Sequence, residues 1–299
     1  MPYRFRRKDR SVEKAVRRIA RAQIGNAITI IDGGANPDRT VHEVRRCCKR
    51  LRALVRLVRP AFSDFDVENV AFRDIARSIS GTRDRTVMHN TIARLTKRFP
   101  ARLEQGAAAL LDQALDLMAG EGAGQFDPRP RLAQCRNALM LADERALRWK
   151  LDADGWAAIS PGLVKTYRLA RKVIAELDHD EDGQCHHRLR RWMKYHYHHC
   201  QLLRPIGPSG MKAREKQAER LSNMLGNHHD LTVLERKLVA IPEGFDLTAE
   251  IKMAASVARR ERMRIEQRLP PLLDDLLSEK PSALDRQLGE LWSNWRDRT

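Results

Sequence analysis

The segment from His42 to Pro60, HEVRRCCKRLRALVRLVRP, returns without a gap as His187 to Pro205, HRLRRWMKYHYHHCQLLRP, 145 positions further along. His42 pairs with His187, Arg45 with Arg190, Arg46 with Arg191, Lys49 with Lys194 and Arg59 with Arg204. Downstream, Ile79 to Met88 (ISGTRDRTVM) matches Leu225 to Leu234 (LGNHHDLTVL) at an offset of 146. Two matches at nearly constant separation mark a duplicated unit of several elements rather than a shared composition. The repeat predicts two helical bundles packed with approximate two-fold symmetry, each bringing its basic helix to a shared groove.

The helical reading follows from periodicity. At about 100° per residue, His42, Arg45, Arg46, Lys49, Arg52 and Arg56 fall on one face, and Val44, Cys47, Leu51, Val55 and Val58 fall on the other. The same face of the second copy carries His187, Arg190, Arg191 and Lys194, with His198 close to it. Almost no stretch alternates with period two, so the whole chain reads as helical. Helices are expected at Val67 to Ile79, Asp84 to Arg98, Leu103 to Met118 and Leu132 to Leu151. A Ser160-Pro161 opening starts the next. His186 to Arg204, Met211 to Leu225, Leu231 to Val239, Leu247 to Leu277 with a kink at Pro270-Pro271, and Ala283 to Trp295 complete the series. Ser11 is expected to cap the first helix, after a short extended arm from Tyr3 to Arg10. Asp38 or Thr40 is expected to start the second, and Asp84 and Asp230, each near a helix start, to cap exposed amides or anchor a basic residue. Residues 1–299 then form one unit with halves 11–148 and 160–295, joined near 149–159.

A nearly pure cationic stripe implies an anionic partner or acidic neighbours on adjacent helices. The 299 residues carry a formal charge of +17, which favours a polyanion over a neutral small molecule. Arginine offers phosphate a fixed fork, and lysine a mobile charge. His42 and His187 gain charge beside phosphate, which predicts tighter binding at mildly acidic pH. Tyr167, Arg168, Arg171 and Lys172 make a secondary basic patch, and Arg94, Lys97 and Arg98 another. Arg259, Arg260, Arg262 and Arg264 form a late basic run. A solvated surface explains any of these three equally well.

No glycine loop of the Walker or dinucleotide type and no GxSxG elbow is present, so an enzymatic role is secondary to binding. His196, His198, His199 and Cys200, with His228, His229 and Asp230, have no compact metal-ligand spacing, and no dedicated metal site or cofactor is expected. The pairs His179-Asp180 and His229-Asp230 look like fragments of a metal phosphohydrolase without the rest of its ligands. No run reaches the roughly 18 apolar residues of a membrane span, and MPYRFRRKDR lacks the apolar core of a secretory signal. Five cysteines without paired spacing fit a reduced, cytoplasmic chain.

Taken in order, YRFRRKDRSVEKAVRRIARAQIGNAI, VHEVRRCCKRLRALVRLVRPAF, the TYRLARK segment at Thr166 to Lys172 and LGNHHDLTVL resemble the conserved histidine alpha-helical domain, or CHAD, family. The resemblance implies two four-helix bundles in pseudo-two-fold arrangement around a basic groove that binds inorganic polyphosphate, with possible recruitment to polyphosphate granules and divalent cations accompanying the phosphate. It places the first family pattern on His42, Arg45, Lys49, Arg50 and Arg52, and the second on His187, Arg190 and Lys194. A commonly basic later position is Tyr197 here, so either the first half contributes more charge or His198 compensates. Nucleic-acid binding is the chief alternative, and hydrolysis of polyphosphate or a phosphoester the next.

Overall fold

A computed structural model describes residues 3–34, 36–80, 83–118, 129–177, 184–241 and 248–297. Among them no strand occurs, and the helices are α1 (Val12–Asp32), α2 (Pro37–Leu57), α3 (Phe65–Ser78), α4 (Arg83–Arg98), α5 (Gln105–Met118), α6 (Arg129–Ala146), α7 (Gly155–Ile174), α8 (Gln184–Leu203), α9 (Pro208–Val239), α10 (Thr248–Leu277) and α11 (Pro281–Asp297). None is long and apolar enough to cross a membrane.

Local chemistry accounts for the first helices. The Ser11 hydroxyl accepts from the Lys14 amide at 3.2 Å, and Glu13 sits in the positive first turn of α1. Helix α2 begins earlier than Asp38 or Thr40, because Asn36 accepts from the Arg39 amide at 3.0 Å and Pro37 occupies the first helical position. Val41, Val44, Cys47, Cys48, Leu51, Leu54 and Val55 are buried along its apolar side. A short 3-10 turn at Arg59–Ala61 closes α2, and a matching turn at Arg204–Ile206 closes α8.

Packing follows chain order. Helix α1 lies on α2 and α6, α2 on α3, and α3 on α6; likewise α7 lies on α8 and α11, α8 on α9, and α9 on α10. Helix α2 also touches α7 and α8. The connection after α6 is pinned to α1 and to the turn after α2. Leu151 N donates to Glu13 at 3.1 Å, Asp152 N to the Ala61 carbonyl at 2.9 Å, and Val12 N to Asp154 at 2.6 Å. The arm at Tyr3 spans both repeated helices: its hydroxyl donates to the Arg50 carbonyl at 2.8 Å, and Phe5 N donates to the Leu202 carbonyl at 3.1 Å.

Two expected boundaries are overturned by tertiary contacts. Helix α7 starts at Gly155 rather than Ser160, leaving Pro161 inside it. The reason is Asp285, which accepts from Trp156 Nε1 at 2.8 Å and from the Ser160 hydroxyl at 2.6 Å, so Ser160 anchors α11 instead of capping. Helix α9 runs unbroken through Gly226-Asn227, because Leu221, Leu225, His228, Leu231, Leu234 and Leu238 form one continuous buried stripe. Asp230 is therefore mid-helix and not at a helix start. The Asp84 side chain and His179-Asp180 lie outside the described residues.

Candidate functional site

Helices α2 and α8 meet where His199 Nε2 donates to the Ala53 carbonyl at 3.0 Å, a contact buried from solvent. On α2 the cations flank this crossing. Arg52 Nε donates to Asn69 Oδ1 at 3.1 Å, and Arg56 Nη2 donates to the same oxygen at 3.4 Å. Arg50 donates to Gln23 Oε1 at 3.4 Å and lies over the Tyr3 ring, 5.3 Å from its centroid. Arg45 donates to the Ala76 carbonyl and the Ser80 hydroxyl. The partners of Arg50, Arg52 and Arg56 are neutral. They orient these guanidinium groups without cancelling their charge, whereas Arg18–Asp9 (2.7 Å), Arg145–Glu68 (2.7 Å) and Arg188–Glu176 (2.6 Å) are carboxylate pairs elsewhere in the molecule. On the stripe itself, exposed Arg46 pairs with Glu43, its own helix neighbour.

Rings replace carboxylates for the innermost cation. The Arg56 guanidinium lies 4.5 Å from the Tyr195 centroid and 5.7 Å from that of Trp192, both on α8, and 5.3 Å from Phe65. Burial lowers its pKa, countered by Tyr195 and reinforced by Arg52 and Arg59. An arginine remains protonated under such a shift. His42 is exposed on the same helix and Lys49 is half-buried.

The second copy is arranged differently. Lys194 lies 4.8 Å from the Tyr197 centroid, and exposed Arg191 lies 5.3 Å from Trp192. Burial lowers the Lys194 pKa, and Arg190 and Arg50 lower it further against Glu219. Arg50 of α2 thus acts on Lys194 of α8. Tyr197 donates to Glu219 at 3.1 Å, and Gln201 donates to both Tyr197 (2.9 Å) and Glu215 (3.3 Å). Burial, with Glu219 beside it, pushes the Tyr197 hydroxyl up to about 12.

His198 is a correction to the sequence-based assignment. It is 3% exposed, covered by Tyr3 and Tyr197, hydrogen-bonded to Gln201 at 3.0 Å, and held neutral by burial with a pKa of about 3. The slight turn of the projection toward the basic face carries its ring into the protein, so it does not offset Tyr197. His187 is exposed, its Nδ1 lying 3.4 Å from that of His229. Burial, Arg190 and Arg191 lower its pKa, moving any gain of charge to more acidic pH than the ordinary histidine range. A cavity of about 220 Å³ beside it is lined by Gln184, His187, His228, His229, Thr232, Val233 and Arg236.

In the secondary patch, Arg171 donates to the Glu279 carbonyl at the α10–α11 turn, while Arg168 and Lys172 are exposed. Of the late basic run, Arg262 is held by Glu235 at 2.9 Å and Glu266 at 2.7 Å, and Arg264 lies 3.8 Å from Glu261. The sequence reading missed Asn69, Gln23 and Ser80. Their only signal is a place on neighbouring helices, which no local spacing reveals.

A family model described as CHAD domain matches residues 10–239. The crystal structure of the CHAD domain from the plant Ricinus communis has a similar fold, with a TM-score of 0.55 over 96% of each chain at 18% identity. No match to this chain is found among curated proteins.

Proposed function

Because the chain belongs to the CHAD family, we propose that it binds inorganic polyphosphate through the cations of α2 and α8. The observation that carries this reading is the set of neutral acceptors that α1 and α3 present to the arginines of α2. Asn69 and Gln23 align Arg50, Arg52 and Arg56 while leaving their positive charge available to phosphate. Arg45, Arg46, Lys49 and His42 extend the row along one helix, and Arg190, Arg191, Lys194 and His187 supply the opposing row. A chain of phosphates carries repeated charge and no bases, so rings such as Trp192 and Tyr195 serve to hold arginines rather than to stack on a ligand.

The architecture belongs to the same proposal. Helices α1, α2, α3 and α6 have counterparts in α7, α8, α9 and α11, and the turns at Arg59–Ala61 and Arg204–Ile206 keep the offset of the repeat. We read this as a duplication in pseudo-two-fold arrangement, with the joint at 149–154 holding the halves as one unit. The first half carries the stronger charge, since Tyr197 engages Glu219 where the family pattern is commonly basic. The role is binding rather than catalysis, in the cytoplasm and at polyphosphate granules, with divalent cations accompanying the ligand.

The test is a salt-dependent affinity titration against long polyphosphate, short polyphosphate and DNA at matched phosphate concentration. An Arg52→Gln, Lys194→Met double variant is compared with wild type, both checked by thermal melting. Long polyphosphate is expected to bind tightest at moderate salt, and the folded variant to lose about tenfold or more, as two charge-assisted contacts would. Equal binding of every polyanion, insensitive to the substitutions, overturns the reading. Preference for DNA in excess polyphosphate would favour a nucleic-acid role instead.

A further inference from the structure

Four histidines between α8 and α9 form two layers with opposite electrostatic settings. In the outer layer, His187 and His229 lie among Arg190, Arg191 and Arg236, and burial, reinforced by Arg190, His187, His228 and Arg236, lowers the His229 pKa to about 4. That setting suits an anion. In the inner layer, His186 and His228 stack with centroids 4.2 Å apart and planes 14° from parallel, and His228 Nε2 donates to Glu266 Oε1 of α10 at 2.8 Å. One ligand atom from each of His186, His228 and Glu266 lies within 4.8 Å of the others.

We propose that His186, His228 and Glu266 bind a divalent transition-metal ion of the zinc class. Three helices converge to supply two imidazole nitrogens and one carboxylate oxygen, a donor set that suits Zn²⁺ and Co²⁺ better than the all-oxygen preference of Mg²⁺ or Ca²⁺. Local charge favours a cation here. Glu266 and Glu235 together face one guanidinium, that of Arg262, at 2.7 and 2.9 Å, leaving one negative charge in excess. Arg262 Nη1 donates at 2.7 Å to the same Glu266 oxygen that faces His228, a hydrogen bond of the kind that fixes ligating carboxylates. Bond lengths of roughly 2.0–2.2 Å require the donors to draw in by about 1–2 Å. Rotation of half-buried His186 supplies much of this, while His228, 2% exposed, stays fixed. Coordination through His228 Nε2 places the ring proton on Nδ1, so the hydrogen bond to Glu266 gives way to the metal. Three protein ligands leave a fourth position for water.

The proposal is independent of polyphosphate, and its test uses metal alone. Protein stripped with chelator and dialysed into phosphate-free buffer is titrated with Co²⁺, followed by visible absorption, and with Zn²⁺ by calorimetry. One equivalent of Co²⁺ with the absorption of a low-coordinate site is expected. His186→Ala and Glu266→Gln should each weaken Zn²⁺ at least about tenfold, with His187→Ala unchanged. Melting curves establish that each variant is folded. Absence of a stoichiometric site overturns the assignment, as does wild-type affinity in both ligand variants or loss only in His187→Ala.

Discussion

At the residue scale the site turns on Asn69, whose single oxygen receives Arg52 Nε at 3.1 Å and Arg56 Nη2 at 3.4 Å. A carboxylate in the same place would hold both arginines more strongly and also neutralise them. Asn69→Asp is therefore expected to stabilise the protein by about 1 kcal/mol, the scale of a partly exposed ion pair, while weakening polyphosphate several-fold. Denaturant midpoints and the affinity titration read the two effects separately; tighter binding in the variant would sink the idea that neutral acceptors preserve charge for a ligand. The cationic stripe was legible because its members recur at i, i+3 and i+4 on one helix, a relation that sequence states directly. Asn69, Gln23 and Glu266 were not, since each meets its partner from a different helix. His198 shows the limit of the projection itself: a residue near the edge of a face goes inward when Tyr3 and Tyr197 lie over it.

At the element scale two mid-helix glycines have opposite meanings. A Cβ on Gly162 of α7 would fall on the Leu57 carbonyl oxygen, 2.6 Å from its carbon and 2.7 Å from the Arg56 oxygen, so backbone meets backbone at the C-terminus of α2. A Cβ on Gly226 of α9 would stand 3.7 Å from Arg190 Nε, an ordinary contact. Gly162→Ala is expected to cost about 3 kcal/mol or more by forcing α7 off α2, and Gly226→Ala to add about 0.5–1 kcal/mol through helix propensity. Thermal melting of the two variants in parallel decides it; similar losses in both would refute the assigned contacts. The same pair explains what the sequence conveyed about the fold. Helix existence was readable from periodicity almost everywhere, and the Ser11 cap and the proline-marked ends after α2 and α8 were readable from local chemistry, whereas the expected extended arm bends and turns at Arg6 to Asp9. Gly226 did not break α9, and Ser160-Pro161 did not open α7. In each case a buried stripe or a distant carboxylate outweighed the local signal.

At the scale of the whole molecule, three buried histidines lie on α8, and two of them bear on its contact with the first half. Burial holds His198 and His199 at about 3 and His196 well below its ordinary value, the last with Arg214 and His199 adding to the effect. In the unfolded chain each titrates near 6.5. Between those values the unfolded state takes up protons that the folded state refuses, so stability rises with pH across the window and is lost as pH falls from about 6.5 toward 3. The slope is about 1.4 kcal/mol per pH unit for each site fully inside the window. Three such sites against a typical total of about 5–15 kcal/mol place acid unfolding well above pH 3. The charge of +17 works in the same direction, because carboxylate protonation adds to self-repulsion. Guanidinium unfolding at pH 7.5, 6 and 5 should show midpoints falling steadily, and His198→Gln, which removes one titrating site, should flatten the dependence by about one proton. Bound polyphosphate should offset part of the loss, since a ligand held by the folded state alone stabilises it in proportion to its occupancy. Equal midpoints at pH 7.5 and 5 would mean that the histidines at the α2–α8 contact accept protons without unfolding.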